Sequence, residues 1–209
     1  MIRLKLTMNC GKIWLVVISA LMGSIPVEAQ SEWPIRPGEH VAIIGNTLAD
    51  QFRIHGYLET RLREATRGNP VSIRNLGWAG DTLSARDRPT NFPTEASTLA
   101  EHQTDVIIAC FGLGESFAGA DGIETFRSDL SNLISSHSGQ RYNGISPVRL
   151  ILVSPIAYEF LGDRTPHWER RNEALALYTE TMGEVAQANG IYFIDLFAPT
   201  KRLMDDPDL

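Results

Sequence analysis

His40-Val41-Ala42-Ile43-Ile44-Gly45-Asn46-Thr47-Leu48 is the stretch on which the reading of this chain turns. Its apolar run, residues 41–44, is too short for a helix. It is also too uniformly apolar for a strand with one wetted face, so it reads as a strand buried on both sides. Gly45 stops it, and a helical pattern opens near Asp50. A buried strand that ends at a glycine and turns into a helix presents one side chain beside the helix N-terminus. There the free N–H groups and the helix dipole favour a nucleophile or a developing negative charge. Asn46 and Thr47 are equally good helix caps, because their side-chain oxygens accept from those same N–H groups. Both readings stand side by side on the sequence.

Outward from this stretch, strand-like and helix-like segments alternate. Strands are expected over 41–44, 71–76, 105–111, 148–153 and 191–196, and helices over 50–66, 95–101, 123–136 and 168–188. Gly68-Asn69-Pro70 stops the first helix and Asn189-Gly190 the last. Five strand-then-helix units with near-continuous apolar strands predict an α/β fold with a five-stranded parallel sheet covered by helices on both faces. Ligands in such folds bind outside the carboxyl ends of the strands. The loops at issue are therefore 45–48, 77–82, 112–117 and 154–167.

The chain has 209 residues, 43% of them apolar and 21% charged, which suits one globular domain with an ample core. Its formal net charge is -6 and no Lys/Arg stripe is present, so neither nucleic acid nor an anionic membrane surface is an expected partner. Arg3, Lys5 and Lys12 precede an apolar stretch at 13–22, and Val27-Glu28-Ala29 supplies small residues at the positions before Gln30. This reads as a secretory signal over 1–29 that is cleaved on export to the periplasm or beyond the cell. A linker over 30–38 and a single domain over 39–209 follow, with no membrane association expected once the signal is removed. Of the two cysteines, Cys10 leaves with the signal and Cys110 remains alone in an apolar run, which makes it a core thiol.

Three segments, each directly after an expected strand, carry a family resemblance. Gly45-Asn46-Thr47-Leu48 resembles the Gly-Asp-Ser-Leu block of the SGNH (GDSL) hydrolases, with Thr47 at the serine position and Asn46 at the aspartate position. Asn75-Leu76-Gly77-Trp78-Ala79-Gly80-Asp81-Thr82 is similar to the second block, whose last glycine corresponds to Gly80. Phe111-Gly112-Leu113-Gly114-Glu115-Ser116 is similar to the third, with Gly114 where that family has asparagine. The resemblance covers about residues 39–197 in order and spacing. It implies a flavodoxin-like three-layer sandwich and hydrolysis of an acyl ester, of a small molecule or a carbohydrate, without a cofactor.

In that family a serine hydroxyl attacks the carbonyl and a histidine takes its proton. The resemblance thus makes Thr47 the nucleophile position and Gly80 an oxyanion-hole donor, with Asn46, Gly114 and Glu115 as binding positions beside them. The extra methyl of Thr47 restricts its rotamers. Gly114 has no side chain with which to donate. The histidine belongs to a C-terminal Asp-x-x-His block, and none of His40, His55, His102, His137 and His167 lies beyond the fifth strand. Neither that block nor a closing helix is expected within 197–209, which would leave apolar sheet surface uncovered. Two readings follow: a piece of a longer esterase, completed by further sequence or a C-terminal partner domain, or a non-catalytic SGNH-like module that binds a carbohydrate or a partner. The Gly-Asn-Thr-Leu-Ala-Asp form also resembles SGNH-like domains at the front of exported planctomycete-type proteins with haem-binding modules. No Cys-x-x-Cys-His is present in this chain to hold a haem.

Among the remaining candidates, Glu115 reads first as a carboxylate that binds loop backbone. Asp81 and Thr82 read as turn stabilisers, and Asp105 and Asp195 as structural. His167, beside Trp168 at the ligand-binding end of the sheet, reads as a surface or packing residue, with a base as the sharper alternative. No set of side chains has metal-ligand spacing. Thr47 and Gly80 are expected to face one hollow on the upper rim of the sheet.

Overall fold

The computed structural model describes residues 34–206, so the expected signal over 1–29, the start of the linker and residues 207–209 lie outside the described residues. Five strands, β1 (His40–Gly45), β2 (Ser72–Asn75), β3 (Val106–Cys110), β4 (Arg149–Val153) and β5 (Tyr192–Ile194), form one sheet in the order β2-β1-β3-β4-β5. Every neighbouring pair is parallel. All five expected strands are present, and β2 to β5 are shorter than the segments expected for them.

The apolar runs are continuous because alternate residues feed two different cores. Ala42, Ile44, Ile107, Ala109, Leu150 and Leu152 pack on one face against Phe126, Leu130, Tyr178 and Met182. Val41, Ile43, Val106, Ile108, Cys110, Ile151 and Val153 pack on the other against Ala49, Leu62 and Ile35. Cys110 is thus a core thiol, and burial pushes its pKa up to about 12. Truncating a residue such as Leu152, which has no exposed surface, to alanine would cost about 2–5 kcal/mol.

Among the described residues six α-helices cover the sheet: α1 (Thr47–His55), α2 (Tyr57–Ala65), α3 (Glu95–Glu101), α4 (Ile123–His137), α5 (Trp168–Asn189) and α6 (Phe197–Met204). Two differ from expectation. The single helix expected over 50–66 starts earlier, at Thr47, and is broken in two. Gly56 takes a left-handed conformation (φ 67°) that caps α1, its N–H donating to the Phe52 carbonyl, and opens α2. The tail after β5, expected to carry no helix, forms α6. Asp195 Oδ1 accepts from Ala198 N at 3.1 Å, and Phe197 is buried with Ala157 and Leu175. Thr200 Oγ1 accepts from Ala157 N at 2.9 Å, so α6 holds down the loop that follows β4. No helix among the described residues is long and apolar enough to cross a membrane.

The strand order determines where a site can lie. From β1 the chain crosses first to β2 on one side and then to β3 on the other. The loops leaving β1 and β3 therefore part at their carboxyl ends and open a crevice there. Thr47 and the 112–116 segment flank that crevice.

Candidate active site

The turn after β1 is built on a close approach. Gly45 has φ 133°, and a Cβ placed on it would stand 2.1 Å from the Cys110 carbonyl oxygen, so only glycine fits beside the end of β3. Asn46 N donates to that same carbonyl at 3.1 Å. Asn46 is buried and caps α1, its Oδ1 accepting from Leu48 N at 3.0 Å. The capping reading of Asn46 is what the side chain does. Its neighbour Thr47, the first residue of α1, is exposed, and neither its hydroxyl nor its N–H is bonded to any described residue.

The second block is strapped to this turn. Trp78 N donates to the Gly45 carbonyl at 2.9 Å, and Asn75 Nδ2 donates to the Ala49 carbonyl at 2.7 Å. A Cβ on Gly77 would stand 2.6 Å from that of Ala49, so this glycine lets the loop lie against α1. Asp81 N then donates to the Trp78 carbonyl at 3.0 Å, closing a turn with Gly80 at φ 90°, a value that turns reserve for glycine. Gly80 is exposed and its N–H has no partner among the described residues. Asp81 and Thr82 stabilise the loop: Arg88 donates two bonds to the Asp81 carboxylate, at 2.9 and 2.6 Å, and Thr82 Oγ1 accepts from Ala85 N at 3.0 Å.

The third block closes the arrangement. Glu115 Oε1 accepts from Leu83 N at 2.8 Å and Oε2 from Gly112 N at 2.9 Å, so one carboxylate joins the second and third blocks. Burial raises the Glu115 pKa, against three backbone hydrogen bonds that lower it. With both oxygens engaged on backbone, its role is the structural one. Gly114 is helical (φ -65°), and a Cβ there would stand 2.9 Å from Thr82 Cγ2. The space an asparagine side chain would start from is already occupied by the Thr82 methyl. That contact joins residues 32 positions apart and has no signature in either loop read alone.

The fold brings Thr47, Gly80, Gly114 and Glu115 to the carboxyl end of the sheet, on loops tied to one another. It does not bring a histidine to Thr47. His40 and His102 stack at the opposite end of the sheet (ring centroids 5.1 Å apart). His137 ends α4, bonded through Nδ1 to the Tyr142 hydroxyl. His55 ends α1 and stacks on Tyr57. His167 alone stands at the upper rim, exposed before α5, with no side-chain hydrogen bond. Two side chains passed over in the sequence also hold this rim. Ser154 Oγ accepts from Leu196 N and Phe197 N, and Arg171 donates to the Ser116 carbonyl and hydroxyl. Ser154-Pro155 after an apolar run was the only signal for the first. Among the described residues no group of three or more His, Cys, Asp or Glu could hold a metal ion.

Comparison with known proteins identifies the family and the fold. The GDSL-like lipase/acylhydrolase family model matches residues 41–209. Solved structures with the same fold include an acetyl xylan esterase, AlAXEase, at 17% identity and a TM-score of 0.57 over 81% of this chain and 84% of that one. The native aryl esterase of M. smegmatis matches at 14% identity and 0.53, over 75% and 83%. A gut microbial diltiazem-metabolizing enzyme matches at 20% identity and 0.56 over 86% of this chain, which spans only 42% of that protein's length. No curated protein matches the chain.

Proposed function

The chain belongs to the GDSL-like lipase/acylhydrolase family, and from that premise we propose that it hydrolyses acyl esters of small molecules or carbohydrates with Thr47 as nucleophile. The Thr47 Oγ1 attacks the ester carbonyl, its proton passes to a base, and the carbonyl π electrons move onto oxygen. The N–H groups of Thr47 and Gly80 hold that oxyanion. Its collapse breaks the bond to the alcohol, which leaves with a proton, and water then releases the acyl group by the same steps. The observation that carries this reading is the pair of N–H groups without partners among the described residues, on two loops bonded together at Trp78 N and Gly45 O. Helix starts and turns hold such groups ready for a charge that develops only during reaction.

Turnover is expected to be slow. Gly114 supplies no side-chain donor, and loss of one such donor typically costs about 10²–10³ in rate. The Thr47 hydroxyl has no imidazole bonded to it, and His167 is the histidine on this rim to test as its base. The test is hydrolysis of p-nitrophenyl acetate by the wild-type protein beside Thr47→Ala. Turnover lost in the variant supports the reading; equal turnover in both removes it and leaves a binding module. We also propose export, from the basic, apolar and small-residue order of residues 1–29. Protein recovered from outside the inner membrane should begin at Gln30, and an intact Met1 there would contradict this.

A further inference from the structure

Along the free edge of β2 the fold leaves a cavity of about 950 Å³, between α1 and α2 on one side and the 86–98 segment on the other. Neither Thr47 nor Gly80 lines it, yet it is continuous in the chain with both. It begins at Asp50, one helical turn after Thr47, and at Ala79, next to Gly80. A molecule reacting at Thr47 and extending past α1 would run into this cleft.

Its walls carry a distinct chemistry. Trp78 and Phe92 stand edge to face, ring centroids 5.8 Å apart at 85°, and are 43% and 48% exposed. The Arg88 guanidinium lies over the Trp78 ring, so a ligand at the mouth of the cleft meets the exposed Phe92 ring and the uncovered part of the indole. The polar wall is made of ion pairs. Arg53 pairs with Asp50 at 2.5 Å and Arg86 with Glu95 at 2.7 Å; Arg88, whose guanidinium lies 4.8 Å from the Trp78 ring, is held by both oxygens of Asp81. Three of the four arginines on the wall are thereby neutralised, so an anion gains little from them. The pairs still present fixed N–H donors and carboxylate lone pairs at their free edges. Flat apolar faces beside fixed donors and acceptors, with little uncompensated charge, suit a ligand that has both a C–H face and many hydroxyls.

We propose that this cleft binds neutral sugar residues, as the alcohol part of the ester that Thr47 attacks, with a pyranose ring on Trp78 and Phe92 and its hydroxyls on the Arg53–Asp50 and Arg86–Glu95 pairs. The assignment of the sugar as the alcohol part rests on the hydrolytic reading above; the binding itself is measured without turnover. Isothermal titration calorimetry of the wild-type protein with xylotetraose, cellotetraose and maltotetraose should give a dissociation constant of about 1 mM or tighter for at least one of them. Phe92→Ala and Trp78→Leu should each weaken it by about tenfold. Phe160→Ala, which removes an exposed ring on the loop after β4, should leave it unchanged. Absence of binding by all three sugars to folded wild-type protein would overturn the proposal. So would wild-type affinity in both cleft variants, each shown to be folded by circular dichroism. Sugar binding without any hydrolysis would keep the cleft and remove the esterase; hydrolysis lost in Thr47→Ala with no sugar bound would do the reverse.

Discussion

Thr47 differs from a serine by one methyl group, and on the first turn of α1 that methyl restricts the hydroxyl to fewer rotamers. Because Thr47 is exposed and unbonded, a serine there meets no packing penalty. Thr47→Ser should therefore raise p-nitrophenyl acetate turnover by about tenfold, measured as kcat/KM, with the thermal midpoint unchanged. Glu115 makes the opposite case, a side chain whose contribution is to stability. Burial is the first cause of its raised pKa, so the folded protein takes up this proton more readily than the unfolded chain. Stability from this group is full below the ordinary carboxylate value and is lost as pH rises through the higher folded value. Urea midpoints measured on a pH series should fall over that window in the wild type. The Glu115→Gln curve should lack this fall and meet the wild type most closely at low pH, where the protonated carboxyl, like the amide, keeps one full acceptor oxygen for Leu83 N and Gly112 N.

Loops, strands and helices differ in how much of them could be read beforehand, and the reasons are physical. The central strands β1, β3 and β4 were legible because they are buried on both faces and are continuously apolar, whereas the edge strands β2 and β5, only partly buried, were marked by the Gly68-Asn69-Pro70 and Asn189-Gly190 helix stops before them. The strap between the first two blocks was partly legible through its glycines, since Gly45 and Gly77 stand where the backbone of β3 and α1 leaves no room for a Cβ. The break at Gly56 was missed because Phe52, Leu58 and Leu62 still supply an apolar stripe across it; the glycine itself was the available signal. Helix α6 was missed because 197–204 was read as a tail, although Asp195 and Pro199 are residues that start helices. Least legible was the pairing of Gly114 with the Thr82 methyl, a contact between loops. It makes a definite prediction. Gly114→Asn alone, intended to restore a side-chain donor, should cost about 1–3 kcal/mol of stability by overpacking against Thr82. Combined with Thr82→Ser, which keeps the oxygen that accepts from Ala85 N, it should recover most of that loss and raise turnover above wild type. Additive effects in the double-mutant cycle would contradict the contact.

Across the whole molecule, the candidate site lies at the carboxyl end of the sheet and the buried histidines lie elsewhere. His137 is buried at the end of α4, and desolvation is the first cause of its lowered pKa; the same holds for His102, stacked on His40 at the base. Both fold as neutral rings, so their contribution is complete above the ordinary histidine value of 6.5 and is lost as pH falls through their lower folded values. Urea midpoints should therefore drop as pH falls below 6.5, and His137→Gln should shallow that drop without abolishing it, His102 remaining. The strand order β2-β1-β3-β4-β5 puts its switch between β1 and β3, so the crevice, Thr47 and the third block coincide by topology. The proposed nucleophile, Thr47, lies at the helix start that the strand-then-helix order led to, whereas no base for it was readable, because no histidine is adjacent to it in sequence or in the fold. The proposed hydrolysis depends above all on the hydroxyl at the start of α1. Treatment with diethyl p-nitrophenyl phosphate followed by peptide mass spectrometry should place a single diethylphosphoryl group on Thr47, with none bound by Thr47→Ala; a label on any other hydroxyl, or hydrolysis that persists while Thr47 stays unmodified, would contradict it.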